Sequence, residues 1–544
     1  MPVPVVRVLA AGAAAVLLAA GLSACSSSST ATSSPVSTGL DPVGWTPPGP
    51  CDPPEGADSA TAAALADTPG DYTLTSFDGA QIRFHWFPQA SATADAPAPT
   101  VLWGPGWGGS GETDVTSTQG PGIKTLHDAG YNVLTWDPRG FGKSTGTVET
   151  DSADYEGKDV QLLLTWVADQ PEAQLDGTGD PRVGMVGPSY GGGIQLITAA
   201  TDCRVDAIVP QIAWHSLVTS LYKSETYKSG WASLLLAGAA GRSLDPHITD
   251  SVAEANATGT LPSETVDWFA ARGPGDLVSQ IQVPTLIEQG TVDTLFTLQE
   301  GVENYQLLQQ AGVPVAMTWF CGGHGTCLTN AGDPYHLDQA TMAWLNRYLK
   351  RDTSVDPGPG FSYIDQTGAW HTAAAYPVAP GTPLTAGGSG TLALQATGAS
   401  GPATIPASDT DALSGIVAQI TPSRATNAVN VDVPAGSTAG VVVGAPELTI
   451  SYSGTSPDGA QPTRVFAQLV DPTTGIVLGN QVTPIPVTLD GQSHQLTIPL
   501  EQVAFATTAN GKVTLQLVAV AAGYATPRLG GMVTFDKISI SLPT

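Results

Sequence analysis

The feature that most constrains this chain is a regular series of short apolar runs with helical patterns between them. The runs have the length of strands and cover residues 100–103, 132–136, 182–186, 205–209, 284–287 and 313–320. One of the intervening helical patterns spans residues 160–167, and Pro171 follows it. The alternation predicts an α/β fold with a doubly wound, mostly parallel sheet, whose ligands bind beyond the carboxyl ends of the strands.

The third run leads directly into a serine flanked by glycines. Residues 187–191 read Gly-Pro-Ser-Tyr-Gly and fit the pattern G-x-S-x-G between a strand and a helix. In that context the serine lies on a strained turn, and the two glycines leave room for neighbouring backbone. Ser189 is therefore the candidate nucleophile, and the Tyr190 amide at the helix N-terminus is a candidate oxyanion donor. A simple glycine-rich turn would show the same five residues.

A second segment, residues 142–146, also fits G-x-S-x-G. It lies several residues beyond a strand, and no helical pattern begins at its serine, Ser144. It does not fit a phosphate-binding loop either, because Asp137 occupies the place of the first glycine in that motif. We therefore predict that only Ser189 has the geometry of a nucleophile.

A serine hydroxyl reacts only when a base takes its proton, and the base needs a carboxylate to orient it. On sheets of this type the chain order is serine, acid, histidine. Asp293 lies in the loop after the fifth run, whereas the alternative acid, Glu288, lies on or near the strand itself. His324 follows the last run on a glycine-rich loop and is the best placed of the eight histidines. These positions predict a triad of Ser189, Asp293 and His324.

The loop after the first run, residues 104–111, is rich in glycine and can turn toward the serine. It predicts the Trp107 amide as the second oxyanion donor, although a flexible surface loop would have the same composition. His324 lies between Cys321 and Cys327 in a C-x-x-H-x-x-C pattern, for which metal binding is the alternative to a disulfide. The proposed chemistry requires neither a metal nor an organic cofactor.

Two further regions flank the strand series. Residues 214–280 contain helical patterns and no strand candidate, which predicts a helical cap over the carboxyl ends of the strands; a peripheral insertion is the alternative. The composition changes at Asp356, where helical patterns largely stop and short β-rich runs continue to Thr544. We expect a catalytic domain over residues 71–355 and an all-β sandwich domain over 356–544.

The N-terminal residues 1–25 have the layout of a bacterial lipoprotein signal peptide. An apolar run too short to span a bilayer ends at Leu22-Ser23-Ala24-Cys25, which resembles a lipobox and predicts lipidation of Cys25. Residues 26–70 are expected to be a disordered Ser/Thr/Pro-rich tether. The expected location is the cell envelope, with secretion without an anchor as the alternative.

Charge and cysteine content restrict the partners. The chain of 544 residues carries a net charge of −28, which disfavours nucleic acid. Besides Cys25 there are four cysteines, an even number that indicates disulfides in an exported chain and allows three pairings. Nearness in sequence favours Cys321 with Cys327, which leaves Cys51 with Cys203.

The residues quoted above resemble the α/β-hydrolase superfamily, as does the segment Asp137-Pro138-Arg139-Gly140-Phe141-Gly142. Within it, Gly187-Pro188-Ser189-Tyr190-Gly191-Gly192, the helical insertion and a trailing β-sandwich opened by Trp370-His371 resemble the X-Pro dipeptidyl-peptidase and cocaine-esterase-like (CocE/NonD) family. The resemblance implies a jelly-roll-like C-terminal domain that packs on the catalytic domain and helps to shape the pocket. The chain departs from the family at the oxyanion loop, where Trp107 stands in place of the tyrosine used by members with esterase activity.

These observations predict an exported serine hydrolase that cleaves a small-molecule ester or an Xaa-Pro peptide bond. An enzyme of the second kind must bind a protonated N-terminus, for which Glu225, Glu264 and Asp267 in the cap are candidate carboxylates. The alternative from another class is a non-catalytic surface lipoprotein that binds glycan or peptide through its β-sandwich. The sequence leaves the oligomeric state open.

Overall fold

The computed structural model describes residues 39–68, 70–118, 120–404 and 412–544. Up to residue 373, eleven strands form one large sheet and two further strands form a small separate pair. In chain order the strands are β1 (Ala62–Ala64), β2 (Asp71–Thr75), β3 (Gln81–Phe87), β4 (Thr100–Trp103), β5 (Asn132–Trp136), the small pair β6 (Leu175–Gly177) and β7 (Asp180–Pro181), β8 (Val183–Pro188), β9 (Val205–Gln211), β10 (Thr285–Gly290), β11 (Val315–Phe320), β12 (Phe361–Ile364) and β13 (Trp370–Ala373).

The large sheet has the order β1-β2-β3-β5-β4-β8-β9-β10-β11-β12-β13. All neighbours from β5 to β12 pair in parallel, and antiparallel strands extend the sheet at both edges. The predicted mostly parallel sheet is therefore confirmed. Because the strands of a parallel sheet point the same way, the loops after β8, β10 and β11 leave the sheet at one edge.

Helices cover both faces of this sheet. The α-helices in the described part of the chain are α1 (Ile123–Asp128), α2 (Glu156–Ala168), α3 (Tyr190–Thr201), α4 (Leu217–Leu221), α5 (Ser229–Gly238), α6 (Pro246–Thr258), α7 (Ser263–Ala270), α8 (Leu298–Ala311), α9 (His336–Tyr348) and α10 (Ala412–Ala418). Side chains alternate along β8, so Met185 packs in the core beneath α2, α3 and α8, whereas Val186 packs in the core beneath α1 and α9. Burial on both faces explains why the strand runs are continuously apolar.

The chain between β9 and β10 forms the predicted helical cap. It contains α4, α5, α6 and α7 and a short 3₁₀ turn at Gly275–Gln280, and no strand of the large sheet. Its apolar side chains, including Leu217, Trp231 and Phe269, pack with Phe141 and Tyr190 near the carboxyl ends of the strands. The cap therefore covers the edge at which the catalytic loops are expected.

The C-terminal part is an all-β sandwich. Its two main sheets have the orders β14-β23-β17-β20 and β15-β22-β18-β19, and β16 pairs with β21. The strands are β14 (Leu384–Ala393), β15 (Ala428–Pro434), β16 (Gly440–Gly444), β17 (Glu447–Thr455), β18 (Gln461–Val470), β19 (Thr483–Leu489), β20 (His494–Pro499), β21 (Val503–Thr507), β22 (Lys512–Val518) and β23 (Met532–Leu542). Alternate residues of both sheets meet in one apolar core, as expected for a sandwich.

The first strands after residue 356 belong to the catalytic sheet rather than to the sandwich. β12 pairs in parallel with β11, with Met317 opposite Phe361, and β13 pairs antiparallel with β12. Trp370 and His371 therefore lie on the last strand of the large sheet, and the sandwich begins at β14. The change of composition at Asp356 therefore places the boundary between the catalytic domain and the sandwich too early. Edge strands of an α/β sheet and strands of a sandwich have the same residue preferences, so composition does not distinguish them.

Part of the segment expected to be a tether is packed on the catalytic domain. Ala57 is 2% exposed, Cys51 is bonded to Cys203, and Arg347 donates to Asp41 at 3.0 Å. A covalent link and a few buried contacts order these residues although their composition is poor in apolar side chains. The signal peptide and Cys25 lie outside the described residues. Among the residues that are described, no helix is both long and apolar enough to cross a membrane.

Candidate active site

Ser189 lies on a sharp turn between β8 and α3. Its backbone has φ 56° and ψ −116°, a costly conformation for a residue with a side chain. A Cβ atom at Gly187 or Gly191 would collide with the carbonyl oxygen of Gly104, so both flanking positions require glycine. The Ser189 amide donates to the Gln211 carbonyl at 2.8 Å, which ties the turn to the end of β9.

The predicted acid and base meet at this serine. Asp293 is fully buried, and its Oδ1 accepts from the amides of Leu295 and Phe296 at 2.9 and 2.8 Å. Its Oδ2 lies 2.6 Å from Nδ1 of His324, and Nε2 of His324 lies 2.8 Å from Oγ of Ser189. Because a carboxylate only accepts hydrogen bonds, the proton lies on Nδ1 and leaves Nε2 free to accept from the serine hydroxyl.

The imidazole of His324 has little freedom to turn. Phe296 and Trp231 approach it edge-on, with ring centroids 5.0 and 5.9 Å away. Gly323 has φ 104°, and a Cβ there would lie 2.7 Å from Cβ of Asp293. The glycine therefore allows the histidine loop to approach the acid closely, and the aromatic rings confine the base.

The cap holds the loop that carries the acid. Lys228, just before α5, donates from Nζ to the carbonyl oxygens of Thr294 and Leu295 at 2.9 and 3.0 Å. Trp231 donates from Nε1 to Oγ1 of Thr294 at 3.0 Å. Burial lowers the pKa of Lys228 to about 8. This lysine carries no motif, and only its position in the fold reveals its contact with the acid loop.

The β-sandwich also reaches the catalytic loops. Gln481 donates from Nε2 to the carbonyl oxygen of Asp293 at 2.8 Å, and Asn480 donates from Nδ2 to that of Thr326 at 2.9 Å. Both residues lie at the turn before β19. Sequence reasoning missed them because 188 and 154 positions separate them from the residues they hold. The sandwich thus supports both the acid loop and the histidine loop.

Both predicted oxyanion donors belong to segments next to Ser189. Tyr190 is the first residue of α3, so its amide has no acceptor within the helix. Trp107 follows Gly106, where a Cβ would lie 3.9 Å from Cβ of Ser189. The indole Nε1 of Trp107 donates to the Leu235 carbonyl at 2.8 Å, which fixes this loop beneath α5.

Behind the turn, the Tyr190 side chain is anchored to buried acids. Its hydroxyl donates to Glu156 at 3.1 Å and accepts from the Asp151 amide at 3.2 Å. Burial raises the pKa of Glu156 to about 7, and burial together with Glu156 raises the pKa of Asp151. These acids had no recognisable signal in the sequence; they hold the first residue of α3 in place.

A cavity opens at Ser189 beneath the cap. It encloses about 890 Å³ including its open mouth, within the range of small-molecule sites. Side chains from α4, α5, α6 and α7 form most of its wall, and Trp107, Tyr190 and Phe296 form the end nearest the serine. The cap therefore lines the cavity at Ser189 rather than forming a peripheral layer.

The other sequence candidates have structural partners. Ser144 is buried, accepts from the Arg83 amide at 2.8 Å and donates to the Asp137 carbonyl at 2.6 Å, so it is not available as a nucleophile. Cys321 is bonded to Cys327, which leaves no free thiolate on the histidine loop for the metal alternative. Both pairings expected from the sequence, this one and Cys51 with Cys203, are those found in the structure.

Glu288, the alternative acid, is fully buried within β10 and bonds to groups other than His324. Its carboxyl group accepts from the side-chain Nε2 of Gln211 and, at 3.1 Å, from the Thr341 hydroxyl. Burial raises its pKa from 4.5 to about 8. The folded protein therefore keeps this side chain protonated at neutral pH.

This burial predicts how stability depends on pH. A carboxyl with a raised folded pKa contributes stability that is fully present below pH 4.5 and is lost as pH rises through about 8. Glu288→Gln cannot lose a proton, so its stability relative to the wild type should increase from about pH 5 to about pH 8.5, at up to about 1.4 kcal/mol per pH unit. Urea unfolding at both pH values measures this, with the exposed Glu264→Gln as control; parallel curves for Glu288→Gln and wild type would contradict it.

The segment that carries the serine, the acid and the histidine is similar to known proteins. Residues 78–326 match the model of the X-Pro dipeptidyl-peptidase (S15) family. Among curated proteins, an uncharacterized 31.7 kDa protein of Escherichia coli is 36% identical over 87 residues, 16% of this chain and 29% of that protein. A polyketide transferase of Penicillium sp is 26% identical over 140 residues, 26% of this chain and 43% of that protein. The chain thus spans less than half of the length of these relatives.

Solved structures share the fold over nearly the whole chain. A CocE/NonD family hydrolase from Staphylococcus aureus has a TM-score of 0.60 at 13% identity, covering 87% of this chain and 92% of that one. An alpha-amino acid ester hydrolase has a TM-score of 0.64 at 12% identity, covering 91% and 98%. An aminopeptidase from a marine sediment Thaumarchaeota archaeon has a TM-score of 0.63 at 14% identity, with the same coverage.

The sheet, the cap and the serine turn together define a serine hydrolase of the α/β-hydrolase class. The trailing sandwich and the matched family model give a more specific comparison within this class. Residues 78–326, just under half of the chain, match the X-Pro dipeptidyl-peptidase (S15) family, and the chain shares its fold with a CocE/NonD family hydrolase and an alpha-amino acid ester hydrolase.

Proposed function

We propose that Ser189, His324 and Asp293 form the catalytic triad of an exported hydrolase that cleaves an ester or peptide bond through an acyl-enzyme. The observation that carries this proposal is the continuous chain of hydrogen bonds from Asp293 through His324 to Ser189, at 2.6 and 2.8 Å. Each bond is within the range expected of a nucleophile, a base and its orienting acid.

In the proposed reaction, Oγ of Ser189 attacks the substrate carbonyl while Nε2 of His324 takes its proton. The amides of Tyr190 and Trp107 stabilise the oxyanion of the tetrahedral intermediate. His324 then donates the proton to the leaving group. In the second half of the reaction, His324 takes a proton from water as the water attacks the acyl-enzyme, and then returns that proton to Oγ of Ser189. Asp293 stays ionised and stabilises the imidazolium.

A fluorophosphonate probe tests the proposal, because it reacts with a serine only when its base and oxyanion donors are in place. We expect the wild-type protein to be labelled at Ser189, as mapped by mass spectrometry of the modified peptide. His324→Ala and Ser189→Ala should show no label under the same conditions, while Ser144→Ala should label as the wild type does. An unlabelled, folded wild type would instead favour the non-catalytic surface protein.

Export is supported by the two disulfides among the described residues, because such bonds persist in oxidising compartments. Lipidation of Cys25 remains a prediction from the sequence. Mass analysis of the membrane fraction, compared with that of Cys25→Ala, tests it: a diacylglycerol-bearing N-terminal peptide is expected only with the cysteine.

The contacts of the sandwich with the catalytic loops lead to a further prediction. Removing the two bonds with Asn480→Ala and Gln481→Ala together should lower kcat about 10- to 100-fold, because small displacements of catalytic groups cost rate. KM should change little, since neither residue lines the cavity at Ser189. Steady-state kinetics on an activated ester measure both. Gln495→Ala in β20 is the matched control in the same domain, and an equal effect there would contradict a positioning role.

A further inference from the structure

The wall of the cavity at Ser189 carries no charged side chain in the described part of the chain. Aliphatic and aromatic residues of the cap form it almost completely. The carboxylates that the sequence offered for binding an amine lie elsewhere: Glu225, Glu264 and Asp267 are all exposed and outside the wall. Glu225 instead faces Arg464 of the sandwich, at 3.5 Å.

Two buried acids close to Tyr190 are also absent from the wall of this cavity. Asp151 and Glu156 are 0% and 3% exposed and lie behind the ring of Tyr190. They line a separate, smaller void together with Arg139. A protonated amine in the pocket would therefore lose its hydration without gaining a counter-charge, which is costly in an apolar site.

The position of the cavity relative to the triad decides which half of a substrate enters it. Ser189, Tyr190 and Trp107 contribute to its wall, whereas His324 does not. The leaving group must be on the side of His324, because that imidazole gives it a proton. The acyl group therefore extends away from His324, under the oxyanion donors and into the cavity.

Two apolar clusters share the wall of the cavity. Leu221 and Leu235 belong to the cluster that contains Tyr190, the residue next to the serine. Leu261 and Val266 belong to a second cluster, formed around Tyr222 and Tyr227. An extended chain can thus run from the serine along one cluster to the other.

Resting on the proposed triad, we infer that this enzyme hydrolyses esters of uncharged aliphatic carboxylic acids, with the hydrocarbon chain of the acid held in the cap cavity. The bond from Oγ of Ser189 to the acyl carbon forms as the bond to the alcohol oxygen breaks, and the alcohol leaves with the serine proton. Water then releases the free carboxylic acid and restores Ser189. No amine on the substrate takes part in recognition.

The test is a series of p-nitrophenyl esters with acetyl, butyryl and octanoyl groups, measured with the full-length protein below micelle-forming concentrations. Each buried methylene can raise kcat/KM by up to about fourfold, and octanoate has six more methylenes than acetate, so even partial burial should make octanoate at least about 30-fold better. The 8-aminooctanoate ester has the same chain with a terminal ammonium, and it should react at least about 100-fold more slowly than octanoate. Alanyl-prolyl-p-nitroanilide should be a poor substrate.

Variants of α7 test where the hydrocarbon chain of the substrate lies in the cavity. Val266→Trp should fill the part of the cavity that the second cluster forms and lower the octanoate-to-butyrate ratio of kcat/KM at least about tenfold. Val266→Ala, which introduces no bulk, should lower the same ratio about threefold through lost contact. The adjacent exposed Asp267→Asn is the matched control, and the ratio should stay at its wild-type value.

Two results would overturn the inference: a flat chain-length profile in the wild type, or cleavage of the aminooctanoate ester or the peptide anilide as efficient as that of octanoate. Fluorophosphonate labelling separates this failure from that of the proposed triad. If Ser189 is labelled and the profile is flat, only the acyl-chain inference falls. If Ser189 is not labelled in the folded protein, both fall.

Discussion

Replacing Ser189 by alanine should lower kcat by at least about 10⁴-fold, because the covalent route through the acyl-enzyme disappears. The oxyanion donors and the cavity remain, so a small residual rate above that of water is expected. KM should stay within a few-fold, since the hydroxyl contributes little to substrate binding. The measurement is steady-state hydrolysis of p-nitrophenyl butyrate by highly purified protein.

The structure provides the control for this variant. Alanine keeps the Cβ atom of Ser189 and has the same difficulty with φ 56°, so the fold should be retained. Equal midpoints of thermal unfolding for variant and wild type verify that. Ser144→Ala, in the second G-x-S-x-G segment, should keep nearly full turnover if it folds. Turnover by Ser189→Ala within about tenfold of wild type would remove this residue as the nucleophile.

Asp293→Asn should lower kcat by about 10⁴-fold through the wrong tautomer of His324. Oδ1 of Asp293 accepts from the amides of Leu295 and Phe296, so the oxygen of an asparagine is held there and its amide nitrogen faces His324. Nδ1 must then accept, and the ring proton moves to Nε2, which can no longer take the proton of Ser189.

This mechanism has a spectroscopic signature as well as a kinetic one. Nitrogen NMR of the labelled imidazole should show the proton on Nδ1 in the wild type and on Nε2 in Asp293→Asn. Glu288→Gln is the matched control, because it changes a second buried acid that bonds to groups other than His324, and it should leave both tautomer and kcat unchanged. An Asp293→Asn enzyme with wild-type kcat would show that another group orients the base.

The N-terminal segment shows where local composition is insufficient. Residues 39–68 have the composition of a tether, and yet Ala57 is buried and Cys51 is bonded to Cys203, 152 residues away. The contacts that order this segment come from distant parts of the chain. The same holds for β12 and β13, which join the catalytic sheet only because β11 offers a free edge.

The amino-acid sequence by itself determined the parallel sheet, the serine turn and the order of serine, acid and histidine. These features follow from local rules: apolar runs form buried strands, and glycines at 187 and 191 permit the turn. Only the tertiary structure decided which side chains surround the site. Lys228 and Gln481 support the acid loop from segments far away in the chain. The uncharged wall of the cap cavity likewise depends on contacts between distant segments, which no local pattern encodes.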